Sequence, residues 1–224
     1  MIHLFALLSL LLCGVCYTGF QNSSHFHNTS NRRSLLLLVF GGALLLRLLL
    51  AYTTHGFSND IACFAAWADR IFTLGPGQFY SAEMFTDYPP GFMYVLYLIG
   101  ALRSLLQIPY YSDLHILLLK LPAILCDIAC GFLLYREAVK RLHFSDLQGI
   151  FAASAYLFQP AVILNSSCWG QVDSVYTLMI ILMCLFLMKG NLLPAYAVYG
   201  LGVLLKPQML IFTPVLLTGI WDHV

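Results

Sequence analysis

Residues 34–52, SLLLLVFGGALLLRLLLAY, form an almost entirely apolar stretch. A helix needs about 20 mostly apolar residues to cross the hydrocarbon core of a membrane, and this stretch has that length. Arg32 and Arg33 precede it, and the excess of basic residues on the cytoplasmic side of membrane proteins places this pair in the cytoplasm. The sequence therefore predicts a spanning helix that emerges on the outer side near Thr53.

The composition of the whole chain agrees with a membrane location. Of its 224 residues, 60% are hydrophobic and 9% are charged, a balance typical of chains whose solvent is the bilayer. This apolar share predicts an all-α, polytopic bundle with about five to seven crossings. The formal net charge is +1, so the chain lacks the basic surface that nucleic-acid binding requires. Membrane lipid is an expected partner, and nucleic acid is not.

The chain divides into residues 1–33 and residues 34–224. The first part contains an apolar run at 2–20 and a polar linker with glycosylation sequons at Asn22 and Asn28. A signal peptide and a retained helix both stay open for this run. No basic residue precedes it, which favours a retained helix or a poorly ordered leader. The second part is the expected transmembrane module.

Residues 54–88 form the first and main outer loop of this module. Within the loop, apolar residues recur at helical spacing from Ile61 to Phe72, which predicts an amphipathic helix lying in the membrane interface. The sequence Gly75-Pro76-Gly77 ends that helix. The charged residues of the loop are Asp60, Asp69, Arg70, Glu83 and Asp87.

Further apolar segments follow the loop, at 92–106, 114–135, 149–164, 175–188, 192–205 and 209–220. The basic joint at 136–143 and the later Lys189 indicate cytoplasmic ends, which puts residues 165–173 and Lys206 outside. The count then requires segment 92–106 to begin and end on the outer side, unless the basic joint breaks the positive-inside rule. A re-entrant or membrane-parallel helix would satisfy the count.

On this topology the unusual polar residues gather at the outer face. A charge at membrane depth costs about 2.5 to 3.5 kcal/mol on insertion scales, so Lys120 and Lys206, each next to leucines, are expected to face a polar cavity. The gathered residues are Asp60, Asp87, Tyr88, Lys120, Trp169, Gln171, Asp173 and Lys206.

Structural interpretations compete for several of these residues. Asp60 suits a helix N-cap, and Asp87-Tyr88-Pro89-Pro90 suits a helix start with proline in the first turn. Trp169 suits the aromatic belt at the membrane interface, and Lys206 suits a side chain that reaches toward headgroups. For Asp127, the structural interpretation is a packed polar group inside its helix.

The order of motifs resembles that of the GT-C superfamily of membrane glycosyltransferases. The motifs are the acid of the first outer loop, then DYPPG, KLPAILCDI, YREAVKRL, QPAVILNSSCWGQVDS and LLKPQ. This superfamily includes protein O-mannosyltransferases, dolichyl-phosphate-glucose glucosyltransferases and lipid A aminoarabinose transferase. The resemblance covers residues 34–220, and the chain ends soon afterwards, as in a truncated or minimal member.

The resemblance implies a role for each matching residue. Asp60 corresponds to the catalytic base of the first outer loop, and Asp87 corresponds to the second acidic motif. Lys206 and Lys120 correspond to basic positions that meet the donor phosphate. A divalent metal stays open but is not indicated, because the loop reads SND where some members have paired acids. The implied substrate-binding residues are Tyr88, Trp169, Gln171, Asp173 and Gln208.

The expected function is that of an integral membrane hexosyltransferase of the mannosyltransferase kind. It would move a sugar from a polyprenyl-phosphate donor to a hydroxyl of a glycan, lipid or protein, with inversion, and no further cofactor is expected. The site would face the extracytoplasmic side of a bacterial plasma membrane or a eukaryotic endoplasmic reticulum. A transporter or flippase for lipid-linked sugars is one alternative, since buried charges also mark transport pathways. A non-catalytic assembly subunit is the other.

Overall fold

A computed structural model of the chain describes residues 9–12, 14–15, 17–19, 32–81 and 85–221. Every regular element in these ranges is helical, which confirms the predicted all-α class. The described residues between 9 and 19 are helical. The sequons at Asn22 and Asn28 and the acidic Glu83 lie outside the described residues, as does most of the proposed leader.

The helices follow one another with short joints. The first four are α1 (Arg32–Thr53), α2 (Ser58–Leu74), α3 (Pro90–Leu105) and α4 (Asp113–Lys140). Next come α5 (Asp146–Leu157) and α6 (Pro160–Ile163), which a π-helical turn (Leu164–Trp169) extends. The last are α7 (Asp173–Leu187), α8 (Leu192–Leu205), a 3₁₀ segment (Pro207–Phe212) and α9 (Thr213–Trp221).

Two helices among the described residues, α1 and α4, are long and apolar enough to cross a membrane. Helix α5 and the segment Pro160–Trp169 meet the same standard together as one span bent by 51°. The bend falls before Pro160, where proline disfavours helical backbone at the preceding residue. Helices α3, α7 and α8 are shorter apolar helices, so the five to seven crossings stay a prediction.

The long helices run between two ends of the bundle. At one end Arg32, which begins α1, lies 3.2 Å from Asp146, which begins α5. At the same end Arg141, just after α4, donates to the carbonyl of Met188, just after α7, at 3.1 Å. We call this the basic end, and the opposite end, where α1 stops at Thr53, the loop end. The basic end contains Arg32, Arg33, Arg136, Lys140, Arg141 and Lys189.

Helix α3 both begins and ends at the loop end. Before its start, the Tyr88 hydroxyl donates to Gln171, whose amide also bonds Asp60 in the first turn of α2. After its end, the chain enters α4 at Asp113, whose carboxylate lies 3.6 Å from His55, just beyond α1. Segment 92–106 therefore starts and finishes at the same end of the bundle, which is the arrangement that the crossing count requires.

Helix α2 is the expected amphipathic helix of the first loop. It stops at Leu74, and Gly75 follows with a φ of 82° that favours glycine. It packs closely on α3 because Gly100 has no side chain, and a Cβ there would lie 2.4 Å from the carbonyl oxygen of Ala68. Its buried face consists of Ile61, Phe64, Ala65, Trp67, Ala68 and Ile71.

A buried ion pair joins the helices in the middle of the bundle. Arg47 of α1 and Asp127 of α4 are both 0% exposed, and Arg47 Nε donates to Asp127 Oδ2 at 3.2 Å. Ser166 donates to the same oxygen at 2.6 Å, while Ser174 and Tyr156 donate to Oδ1 at 2.5 and 3.3 Å. These bonds satisfy a carboxylate that would otherwise be too costly to bury. Asp127 is thus a structural polar group that connects α1, α4, α5, the π-helical turn and α7.

Replacement of Arg47 by methionine should destabilise the protein strongly, because the Asp127 carboxylate would lose its buried cation. The expected loss is about 3 to 5 kcal/mol, and Asp127→Leu in the same chain should restore part of it. Unfolding by heat or denaturant in detergent measures both effects. Arg33→Met, at an exposed position of α1, is the matched control; equal unfolding of the two single variants would contradict the assigned role.

Candidate functional site

A cavity of about 1050 Å³ opens at the loop end. Residues from four separate segments line it: 57–67, 85–88, 165–176 and 206–208. The structure brings together all of the site residues that the sequence predicts, except Lys120. The predicted residues at the cavity are Asp60, Asp87, Tyr88, Trp169, Gln171, Asp173, Lys206 and Gln208.

Asp60 lies in the first turn of α2 and does not cap it, since Phe57 holds the N-cap position. Its Oδ2 accepts two hydrogen bonds, from Trp169 Nε1 at 2.9 Å and from Gln171 Nε2 at 2.5 Å. The described residues place no hydrogen bond on Oδ1. Asp60 is the acidic residue in the first turn of α2, near the positive end of the helix dipole. Asp60 is therefore a fixed carboxylate with one oxygen available to a ligand.

The turn at 169–171 brings both donors to Asp60. Gly170 has a φ of 89°, and a Cβ there would lie 2.6 Å from Ile61 Cδ1, so only glycine allows the turn to approach α2 this closely. The Trp169 carbonyl accepts from the backbone N–H of Phe57 at 2.8 Å, which ties the turn to the start of α2. Trp169 is half exposed, and its indole N–H donates to Asp60.

Lys206, which follows α8, faces the cavity and is only 9% exposed. Its ammonium forms a salt bridge with Asp173 and lies 3.5 Å from Gln171 Oε1. It also lies 5.7 Å from the ring centre of Tyr88 and 5.8 Å from that of Tyr176, within range of cation–π attraction. Lys206 thus provides a positive charge inside the cavity.

Tyr88 adds a neutral hydroxyl donor between the acidic residues and Lys206. It precedes the helix start at Pro90, which is the predicted start with proline in the first turn. Burial raises the pKa of the Tyr88 phenol, and the carboxylates of Asp173, Asp87 and Asp60 raise it further. The phenol therefore keeps its proton and donates to Gln171 Oε1 at 3.3 Å.

Aromatic rings cover much of the cavity wall. The ring of Phe64 meets those of Trp67, Tyr88 and Phe92 edge to face, with centroids 5.4 to 5.8 Å apart. Aromatic faces next to carboxylates suit the binding of a sugar ring, which has an apolar C–H face and hydroxyls at its edge. The aromatic residues at the cavity are Phe57, Phe64, Trp67, Phe85, Tyr88, Trp169 and Tyr176.

The expectation that Lys120 faces a polar cavity is wrong. Lys120 is 0% exposed, and its ammonium donates to the carbonyls of Ala51 and Thr54 at 3.2 and 2.6 Å and to the Thr54 hydroxyl at 3.1 Å. These oxygens belong to the end of α1, where helix carbonyls lack partners within the helix. All three N–H groups are used, so Lys120 caps α1 and has none left for a phosphate.

Some cavity residues were not identified from the sequence. Cys63 and Tyr176 each follow a recognised acid, Asp60 and Asp173, by three residues in a helix, so helical spacing would have indicated both. Asn165 donates to Asp173 Oδ2 at 2.8 Å and begins a sequon, but no spacing links it to Asp173. Within the described residues, no group of three or more His, Cys, Asp or Glu side chains is placed to hold a metal.

No family model matches the chain, and no curated protein or solved structure matches it either.

Labelling of Cys63 tests whether the acids share the cavity with its thiol. Burial raises the Cys63 pKa, and the charges of Asp87 and Asp60 raise it further, so the reactive thiolate is scarce at neutral pH and becomes more abundant as pH rises. Asp87→Asn removes one of these charges and should speed maleimide labelling at pH 8 by about two- to threefold. Cys63→Ser identifies the adduct, and an unchanged rate in Asp87→Asn would place that carboxylate away from the thiol.

Proposed function

We propose that the chain is a polytopic membrane glycosyltransferase that moves a sugar from a polyprenyl-phosphate donor to an acceptor hydroxyl. One observation supports this most: a single cavity contains Asp60, which has one carboxylate oxygen without a hydrogen bond from the described residues, and Lys206, a lysine of low exposure. A general base and a cation for a leaving phosphate are the two groups that this reaction needs. The acceptor is a glycan, a lipid or a protein.

The charge distribution supports an extracytoplasmic location for the site. Most of the basic residues of the chain belong to the basic end, while the cavity lies at the loop end. Basic residues remain on the cytoplasmic side of membrane proteins, so the loop end would face outward. Such a site belongs in the plasma membrane of a bacterium or the endoplasmic reticulum of a eukaryote.

In the proposed reaction, Asp60 acts as the general base. Its Oδ1 would accept the proton of the acceptor hydroxyl while Trp169 and Gln171 hold the other carboxylate oxygen. General base catalysis typically contributes about 10² to 10⁴ in rate. The acceptor oxygen attacks the anomeric carbon as the bond to the phosphate oxygen breaks, and this single displacement inverts the configuration.

Lys206 would stabilise the negative charge that grows on the departing lipid phosphate. Asp173 holds the ammonium in place before the donor arrives, so the cation needs no reorganisation during the reaction. Asp87 is exposed at the cavity and would accept hydrogen bonds from hydroxyls of the sugar or the acceptor. Gln208 also lines the cavity near Lys206 and would contact the substrate.

Asp60→Asn should abolish transfer while the protein still folds and binds the donor. The amide keeps the size of the carboxylate but cannot take a proton, so the rate should fall by at least about 10². Purified protein and a panel of radiolabelled polyprenyl-phosphate sugars provide the assay, and Asp69→Asn on the same helix is the control. Undiminished sugar transfer in Asp60→Asn would reject Asp60 as the base. Wild-type protein that moves the lipid-linked sugar across a bilayer without transferring the sugar would favour a transporter.

Lys206→Met should instead weaken the use of the donor, because the phosphate would lose its cation. The KM for the donor should rise and kcat should fall, since the charge acts in binding and in the transition state. Lys189→Met at the basic end makes the same change outside the cavity. An unchanged donor response in Lys206→Met would remove this residue from the phosphate site.

A further inference from the structure

We infer that Gln171 is the positioning residue that holds Asp60 in orientation for catalysis and ties it to Lys206. The inference rests on the proposed function, since it assigns the base and the phosphate-binding cation to these two residues. Among the described side chains, the amide of Gln171 is the one that contacts both. Its Nε2 donates to Asp60 Oδ2 at 2.5 Å, and its Oε1 lies 3.5 Å from Lys206 Nζ.

The chemistry of its neighbours fixes the orientation of this amide. An ammonium only donates hydrogen bonds and an ionised carboxylate only accepts them, so Oε1 must face Lys206 and Nε2 must face Asp60. The Tyr88 hydroxyl adds a second donor toward Oε1 at 3.3 Å. A rotated amide would turn its N–H groups toward both donors and its oxygen toward the carboxylate. The amide therefore has one favourable orientation.

The fixed amide determines which oxygen of Asp60 is free. A carboxylate rotates easily about its last torsion, because that torsion is broad and roughly two-fold. A single donor, Trp169, would hold one oxygen and still leave the carboxylate free to turn about that bond. The second bond from Gln171 to the same oxygen removes this freedom and leaves Oδ1 as the acceptor of a proton.

The backbone around Gln171 is itself held firmly. Its N–H donates to the carbonyl of Asn165 at 2.9 Å, and the side chain of Asn165 bonds Asp173. On either side of this segment, Ser166 and Ser174 donate to the buried Asp127. Loss of the Gln171 side chain would therefore leave the turn in place and remove only the contacts of the amide.

The test is the steady-state kinetics of Gln171→Leu together with its affinity for polyprenyl phosphate. We expect kcat to fall by about 10- to 100-fold, since a displacement of about 1 Å at a reacting group costs up to about 10² in rate. Binding of polyprenyl phosphate should stay within about threefold, because the Lys206–Asp173 pair remains. Gln78→Leu, at an exposed position outside the cavity, makes the same chemical change as a control.

Two further variants separate positioning from a structural role. Gln171→Glu keeps the size and polarity of the side chain but sets a carboxylate against Asp60, so its kcat should also fall. This variant tests the positioning role even if Gln171→Leu does not fold. The increase in activation free energy calculated from kcat in the double variant Trp169→Phe/Gln171→Leu should differ from the sum of the increases in the two single variants. The effects are not independent, because both residues hold the same oxygen.

The outcomes distinguish this inference from the proposed function. An active wild type with unchanged kcat in Gln171→Leu or Gln171→Glu would overturn the positioning role alone. A parallel loss of kcat, lipid binding and resistance to unfolding in both variants would also overturn it, in favour of a structural role. A wild type without transfer from any donor would overturn the proposed function and the inference with it.

Discussion

The buried pair of Arg47 and Asp127 is the interaction on which the rest of the structure depends. Both side chains are inaccessible to solvent, and an unpaired charge there would be too costly to bury. Asp127 also accepts from Ser166 and Ser174, which lie on either side of the turn that faces the cavity. One carboxylate in the bundle centre therefore holds both ends of the segment that supplies Trp169, Gln171 and Asp173.

The same requirement for paired charges explains why the charged residues at the loop end have different roles. Lys120 is fully used in capping α1, whereas Lys206 and Asp60 each keep part of their bonding capacity while lining an open cavity. A buried charge whose bonds are all internal serves the fold. A charge that is held in place but still open on one side is suited to a ligand, which is why the proposed chemistry falls to Asp60 and Lys206.

The sequence predicts the helices well where apolar runs are long. Segments 34–52 and 114–135 correspond to Arg32–Thr53 and Asp113–Lys140, because a run of about 20 apolar residues has few other stable states in a membrane. It also predicts that the polar residues gather at one end, since alternating helices return each joint to the same side. The sequence predicts one apolar helical segment at 149–164 and another at 209–220. It shows neither the bend before Pro160 nor the 3₁₀ geometry of Pro207–Phe212, because local hydrophobicity does not report the pattern of backbone hydrogen bonds.

Hydrogen bonds and ion pairs between residues far apart in the sequence could not be predicted. The sequence predicts that Lys120 faces a polar cavity, because it does not show that the last carbonyls of α1 point toward this lysine. Gln171 was recognised as a substrate-binding candidate, but its bonds to Asp60 and Lys206 join residues that are far apart along the chain. The sequence does not single out Arg47, although it marks the partner residue Asp127 as a candidate structural polar group.

The most direct test of this account is a crystal or cryo-EM structure of the chain bound to a polyprenyl phosphate. The account predicts that the phosphate contacts Lys206 at the loop end, that Gln171 still bonds Asp60, and that Asp60 Oδ1 faces the space beside the phosphate. A phosphate bound at the basic end, or anywhere away from Lys206 and Asp60, would contradict it.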